Sequence, residues 1–179
     1  MNARPDARAF EATVARREVL SAHLVRLVLT GLDGFASTGV PDEWVALTVP
    51  GQFQTRYYTV RSWSPSAASG QAPELVLDVV VHEHGLVTEW AQGECVGDVV
   101  GVSAPKGSFE LPDDASWVGL VGDLTALPAV ARIRESTDLP GTPYVETADG
   151  RLEDYADATV TLLAPRGTGE TRPAPLAAV

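Results

Sequence analysis

One cysteine and one lysine, Cys95 and Lys106, occur in 179 residues. A lone cysteine excludes an internal disulfide, so Cys95 is read as a structural residue of a protein kept in a reducing compartment. Histidine is nearly as scarce, and of the three only His82 and His84 stand close together. On a strand that spacing points both imidazoles to one face, but a zinc site needs further ligands that the sequence does not place, and no metal centre is expected. No apolar run approaches the roughly 18 to 20 residues that cross a bilayer, and the N-terminus lacks an apolar stretch of signal-peptide length. A cytoplasmic protein without membrane insertion is the expectation. Positive charge is short as well, with 13 Lys and Arg against 24 Asp and Glu, a formal net charge of −11. Such a field repels nucleic acid and anionic surfaces, which excludes both as general partners. No Gly-x-Gly-x-x-Gly fingerprint occurs, and no serine or cysteine sits in a nucleophile setting beside histidine.

The chain has instead an apolar fraction of 45%, enough for a real core. From Phe10 to Leu111 it reads as short β-rich runs: Phe10 to Val19, His23 to Leu29, Trp44 to Val49, Arg56 to Arg61, Leu75 to Val81 and Asp98 to Val102. Turn formers separate them at Gly31 to Gly34, Val49 to Gly51, Ser62 to Pro73 and Gly93 to Gly97. This spacing favours a small antiparallel barrel, with one short helix over Leu86 to Gln92 plugging an end. Pro112 to Ser116 reads as a linker. A strand over Trp117 to Val121, a helix over Thr125 to Glu135 capped by Thr125, and strands over Tyr144 to Ala148 and Thr159 to Ala164 then suggest a parallel sheet. Pro128 falls in the first helical turn, where its missing N–H costs no bond. The remainder, Arg166 to Val179, shows no strand or helix period. The expected division is a barrel domain over 1–113 and a partial α/β module over 114–179.

Two segments carry chemistry. Arg56-Tyr57-Tyr58-Thr59-Val60-Arg61 puts two guanidinium groups, two phenol rings and a hydroxyl on one strand, with Arg56, Tyr58 and Val60 on one face and Tyr57, Thr59 and Arg61 on the other. That is equipment for holding a flavin, although an edge strand with solvated arginines carries the same residues. In Val79 to Ala91, an apolar strand stops at Gly85 and gives way to helical spacing in Leu86, Val87, Trp90 and Ala91. The free N–H groups over Gly85 to Thr88 suit a diphosphate; alternatively Thr88 only caps the helix and Trp90 is core. Arg4, Arg8, Arg16, Arg17 and Arg26 read as solvated charges. Lys106 reads either as a turn lysine or as the cation that attracts an anionic ligand.

With Pro105-Lys106-Gly107-Ser108-Phe109 and the turn from Val121 through Asp123-Leu124-Thr125-Ala126-Leu127-Pro128-Ala129, these segments resemble, in order, the siderophore-interacting protein family of flavin-dependent ferric-siderophore reductases. The resemblance runs from about Phe10 to about Pro165. It implies a six-stranded antiparallel flavin-binding barrel followed by a partial Rossmann-like NAD(P)-binding module. It also implies FAD as cofactor and NAD(P)H as electron donor, with hydride passing to flavin N5 and single electrons to a ferric siderophore. By the same resemblance Arg56 neutralises the FAD diphosphate, Tyr58 lies against the ring or ribityl chain, and Thr59 bonds near N5 as the catalytic residue. Tyr57, Val60, Arg61, His82, Gly85, Leu86, Val87 and Thr88 join the cofactor site, Asp123, Thr125 and Pro128 form the nucleotide turn, and Lys106 meets the siderophore. Leu124 departs from the family's usual acidic residue. The sequence also shows neither the Gly-Glu segment nor the C-terminal stretch with which such proteins continue. An impaired hydride supply is therefore weighed, with a non-catalytic flavin- or siderophore-binding protein as the alternative and a flavin-free, partner-binding barrel as the third reading. A monomer or weak dimer is expected.

Overall fold

In the run Leu75 to Val79 every second side chain, Leu75, Leu77 and Val79, is completely buried, and the alternation continues around a closed barrel. The computed structural model describes residues 9–65, 70, 72–149, 152, 155 and 160–165. The barrel strands are β1 (Ala9–Ser21), β2 (Leu24–Thr30), β3 (Trp44–Thr48), β4 (Arg56–Ser64), β5 (Glu74–Val80) and β6 (Val99–Ser103). They stand in the order β1-β2-β5-β4-β3-β6, all neighbours antiparallel. The long β1 closes the ring, since its first part pairs with β6 and the rest with β2. Val14, Leu27, Leu47, Val60, Leu77 and Val102 meet inside. Each such side chain contributes about 1.5 to 3 kcal/mol by leaving water.

β4 changes neighbours halfway. Arg56 to Thr59 pair with Leu47 to Trp44 of β3, whereas Val60 to Ser64 pair with Leu77 to Glu74 of β5, with a bulge between Val60 and Ser62. The bulge resets the side-chain period, so the alternation expected from the sequence holds only as far as Val60. Trp63 consequently packs inward on Phe35, ring centroids 4.8 Å apart.

The helix α1 (Leu86–Gln92) has the bounds expected from its spacing. It starts at Gly85, whose φ of +153° is open only to glycine. Val87 and Ala91 enter the barrel core, so α1 closes one end. Arg17, expected to be solvated, instead donates to the carbonyls of Ala91 at 2.6 Å and Gln92 at 3.2 Å, satisfying groups that a helix C-terminus leaves open. Arg16 is exposed and pairs with Glu74 at 2.7 Å. Cys95 is buried in the same core, and burial raises its thiol pKa.

The second module has β7 (Val121–Asp123), one 3-10 turn (Leu124–Ala126), α2 (Leu127–Glu135), β8 (Tyr144–Glu146) and β9 (Thr161–Leu163), with the three strands parallel in chain order. Two expectations are corrected. The strand begins at Val121, where pairing to Tyr144 starts; upstream Trp117 is 69% exposed and Val118 N donates to Pro140 O at 3.0 Å. Thr125 does not cap the helix. Asp123 caps the 3-10 turn that leads into it, its carboxylate accepting from Thr125 N at 2.9 Å and Thr125 Oγ1 at 2.5 Å, while α2 itself has no side-chain cap. Gly122 lets the turn close, since a Cβ there would stand 2.5 Å from that of Ala126. The tail from Arg166, the start of the last strand at Thr159, part of the Ser62 to Pro73 turn, and Arg4 and Arg8 lie outside the described residues.

The module sits on the outer face of β2 and β5. Leu24 and Val80 pack with Leu124, Leu127, Val130, Val145 and Leu152. Polar links flank this seam. Asp78 accepts from Arg26 Nε at 2.8 Å and Nη2 at 3.0 Å and also from the Tyr155 hydroxyl, so Arg26 is not a solvated charge. Asp149 accepts from Ser21 Oγ and lies 2.6 Å from His23 Nδ1.

Candidate functional site

The β4–β5 ladder stops at Val60–Leu77, and a cleft of about 450 Å³ opens beyond it. Arg56, Tyr57, Tyr58 and Thr59 form one wall, Asp78 and Val80 the other, the segment from His82 to Thr88 lies across the end, and Thr125 and Pro128 border it from the second module. The structure thus brings together eleven residues singled out in the sequence: Arg56, Tyr57, Tyr58, Thr59, His82, Gly85, Leu86, Val87, Thr88, Thr125 and Pro128.

Their chemistry is mixed. Arg56 is exposed and among the described residues engages only its own loop, donating to Thr55 O at 3.0 Å and Gln54 Oε1 at 3.3 Å, which leaves guanidinium donors for a ligand. Tyr58 leans on the barrel core. Burial raises its pKa to about 12 against the opposing charge of Arg56, so it stays a neutral phenol. Tyr57 is 68% exposed and meets Trp44 edge-on at 4.8 Å. The first bond of α1 runs from Glu89 N to Gly85 O at 2.8 Å, which places the N–H groups of Leu86, Val87 and Thr88 outside the helical ladder. His82 and His84 follow the end of β5 in irregular backbone and are exposed, which corrects the expected shared strand face.

Four expected site residues stand outside the cleft. Val60 is completely buried in the barrel core. Arg61 is taken by Glu135, with bonds of 2.9 and 2.7 Å, and its guanidinium lies 5.3 Å over the Tyr155 ring, because the bulge turns it toward α2. Asp123 is engaged by Thr125 and lines a separate groove with Gly122, Tyr144 and Glu146; the Thr125 hydrogen bond holds its carboxyl below the usual range. Lys106 is exposed, 5.6 Å over the Trp44 ring, with its backbone bridged to Trp44.

Sequence reasoning missed Asp78 and His84 in the cleft and the buried carboxylate of Glu43. Asp78 had a signal, a lone acid inside the apolar run Leu75 to Val81. Glu43 had none. It is completely buried and accepts from Ser37 Oγ at 2.6 Å, Thr38 N and Oγ1 at 2.7 Å each, and Arg132 at 3.3 Å. Burial pushes the Glu43 carboxyl up, but these donors outweigh it and hold it below the usual range. Asp149 follows the same pattern, with burial opposed by Ser21 and His23. A depressed folded-state pKa stabilises above the unfolded value, about 4, and that stability is lost as pH falls through the folded value. Thermal melts from about pH 6 to about pH 3 are therefore expected to show a steep acid loss. Asp149→Asn should flatten it, and an unchanged slope would remove Asp149 as a source.

A barrel closed by a short helix, with a cleft shared with a parallel-sheet module, is a fold shared with the ferredoxin reductase in carbazole 1,9a-dioxygenase, which superposes with a TM-score of 0.65 at 17% identity over 88% of this chain and 50% of that one. A family model described as siderophore-interacting FAD-binding domain matches residues 51–109, the span that holds β4, β5, α1 and β6. The NADPH-dependent ferric-chelate reductase of Escherichia coli is 31% identical over 173 residues, covering 85% of this chain and 68% of that protein. The chain belongs to the siderophore-interacting protein family. The siderophore-interacting protein of Acinetobacter baumannii superposes with a TM-score of 0.72 at 22% identity, over 92% of this chain and 70% of that one. A siderophore utilization protein of T. fusca gives 0.70 at 27%, over 92% and 71%. Against uncharacterized mycobacterial relatives, 28% identical, the chain spans 57% of their length.

Proposed function

We propose that the cleft binds FAD and that the chain uses it, with NAD(P)H as donor, to reduce a ferric siderophore and release ferrous iron. The observation that carries this reading is the meeting of Arg56 to Thr59 with His82 to Thr88 around one cleft, inside the span matched as an FAD-binding domain. The donor set suits the group. An under-used guanidinium and three N–H groups suit a diphosphate, while Tyr58, Val80, Leu86 and Pro128 offer the ring apolar surface. Arg56 would hold the diphosphate, Tyr58 would offer its neutral phenol ring to the flavin ring, and Thr59 would supply a hydroxyl that can donate to or accept from it. Bound flavin supplies the capacity to take up hydride and pass on single electrons. Lys106, an exposed cation on an acidic chain, attracts the anionic chelate from the Trp44 side.

Purified protein should be yellow, and anaerobic NADH or NADPH should bleach its band near about 450 nm. Yellow protein that does not bleach would instead mean a binder without hydride transfer. A colourless preparation that ignores added FAD would overturn the flavin reading. Thr59→Ala is expected to slow anaerobic reduction by about tenfold, about 1.4 kcal/mol, with a smaller change in FAD affinity. Identical stopped-flow rates would take Thr59 out of the mechanism.

A further inference from the structure

Val60 is the residue at which β4 passes from β3 to β5, and its backbone bonds are not those of a continuing ladder. Its N–H donates to Glu43 O at 2.9 Å. The Glu43 N–H, which a regular antiparallel rung would return to Val60 O, goes to Val40 O at 3.0 Å instead. The orphaned carbonyl is met from the other module: Arg132 Nη1 of α2 donates to Val60 O at 2.6 Å. The same nitrogen reaches the Glu43 carboxylate at 3.3 Å, with Glu43 side-chain exposure 0% and Arg132 16%. Three residues on, and so on the same face of α2, Glu135 holds Arg61. The opening of that helix presents Pro128 to the cleft, next to Thr125 of the preceding turn.

We propose that Arg132, braced by Glu43, is a positioning residue for the redox site: it replaces the missing rung beside Thr59 and so fixes Tyr58 and Thr59 relative to the α2 side of the cleft. The inference rests on the flavin reading for its redox consequence, whereas the pinning of β4 stands independently of it. The two N–H bonds of Arg132 Nη1 diverge within the fixed guanidinium plane and so serve both acceptors at once; an ammonium of the same charge is a point donor at the end of a flexible stem.

Arg132→Lys in the full chain is the test, read by flavin midpoint potential, visible circular dichroism of bound FAD, and amide hydrogen exchange of the flavin-free protein. The expected result is a shifted potential and altered dichroism, FAD bound roughly tenfold more weakly, and faster exchange confined to peptides spanning Tyr57 to Arg61 while Leu24 to Thr30 keeps its protection. A merely structural role would speed exchange throughout and leave the potential in place. Unchanged or uniformly raised exchange overturns the pinning. Local exchange with unchanged potential and dichroism overturns the redox role. Should the parent protein take up no FAD, the flavin reading falls while exchange still decides the pinning. If Arg132→Lys does not fold, the pair Glu43→Gln with Arg132→Met, which leaves no lone buried charge, takes its place in every measurement.

Discussion

Arg56→Ala is expected to raise the FAD dissociation constant by about ten- to a hundredfold, the equivalent of about 1.5 to 3 kcal/mol for a lost charge-assisted contact. The effect should fall on binding alone. Among the described residues the Arg56 guanidinium hydrogen-bonds only to Thr55 and Gln54 of its own loop, so its removal leaves no buried partner among them unpaired and the flavin-free protein should melt within about 0.5 kcal/mol of the parent. Arg56→Lys should recover part of the affinity, since it keeps the charge and loses the planar fork. Titration of flavin-free protein with FAD, followed by flavin fluorescence, measures all three. Equal affinities across the series would move the diphosphate elsewhere in the cleft.

Asp78→Ala should show the opposite division, a large loss of stability. The Asp78 carboxylate is fully enclosed and accepts from both Arg26 nitrogens and from the Tyr155 hydroxyl. Truncation strands a guanidinium and a phenol at the seam between barrel and module. Breaking a buried pair costs about 3 to 5 kcal/mol, and the lower end applies because Arg26 is about one quarter exposed and turns partly to water. Urea unfolding should place the midpoint well below that of the parent, while Asp78→Asn, which keeps an acceptor of the same shape, should lose less. A difference under about 1 kcal/mol for the alanine variant would mean the pair contributes little.

The parts visible in the sequence were those whose signal is periodic. Leu75, Leu77 and Val79 announce a half-buried strand, and Gly85 before Leu86, Val87 and Trp90 announces a turn and a helix. The residues that join the two modules were not visible, because their partners lie far apart along the chain. Nothing near Glu43 signals a buried carboxylate: Ser37 and Thr38, which supply most of its donors, read as ordinary loop residues, and its remaining partner, Arg132, lies 89 positions away. Arg61 belongs to a strand pattern that assigns it to the ligand, and only the bulge after Val60, a property of the pairing with β5, sends it to Glu135. Asp123 rather than Thr125 supplies a cap for a local reason: a 3-10 turn precedes α2, so the capped end is that of the turn and α2 itself starts at Leu127, two residues past the expected Thr125.

β1 is bonded along Ala9 to Thr13 to residues about ninety positions later, Val99 to Ser103. Such a long loop is slow to close, so this seam should zip late when the chain folds. On the ribosome β4, β5 and α1 emerge before β6 does. The polypeptide therefore has both walls of its groove in hand while the cylinder is still an open, curled sheet.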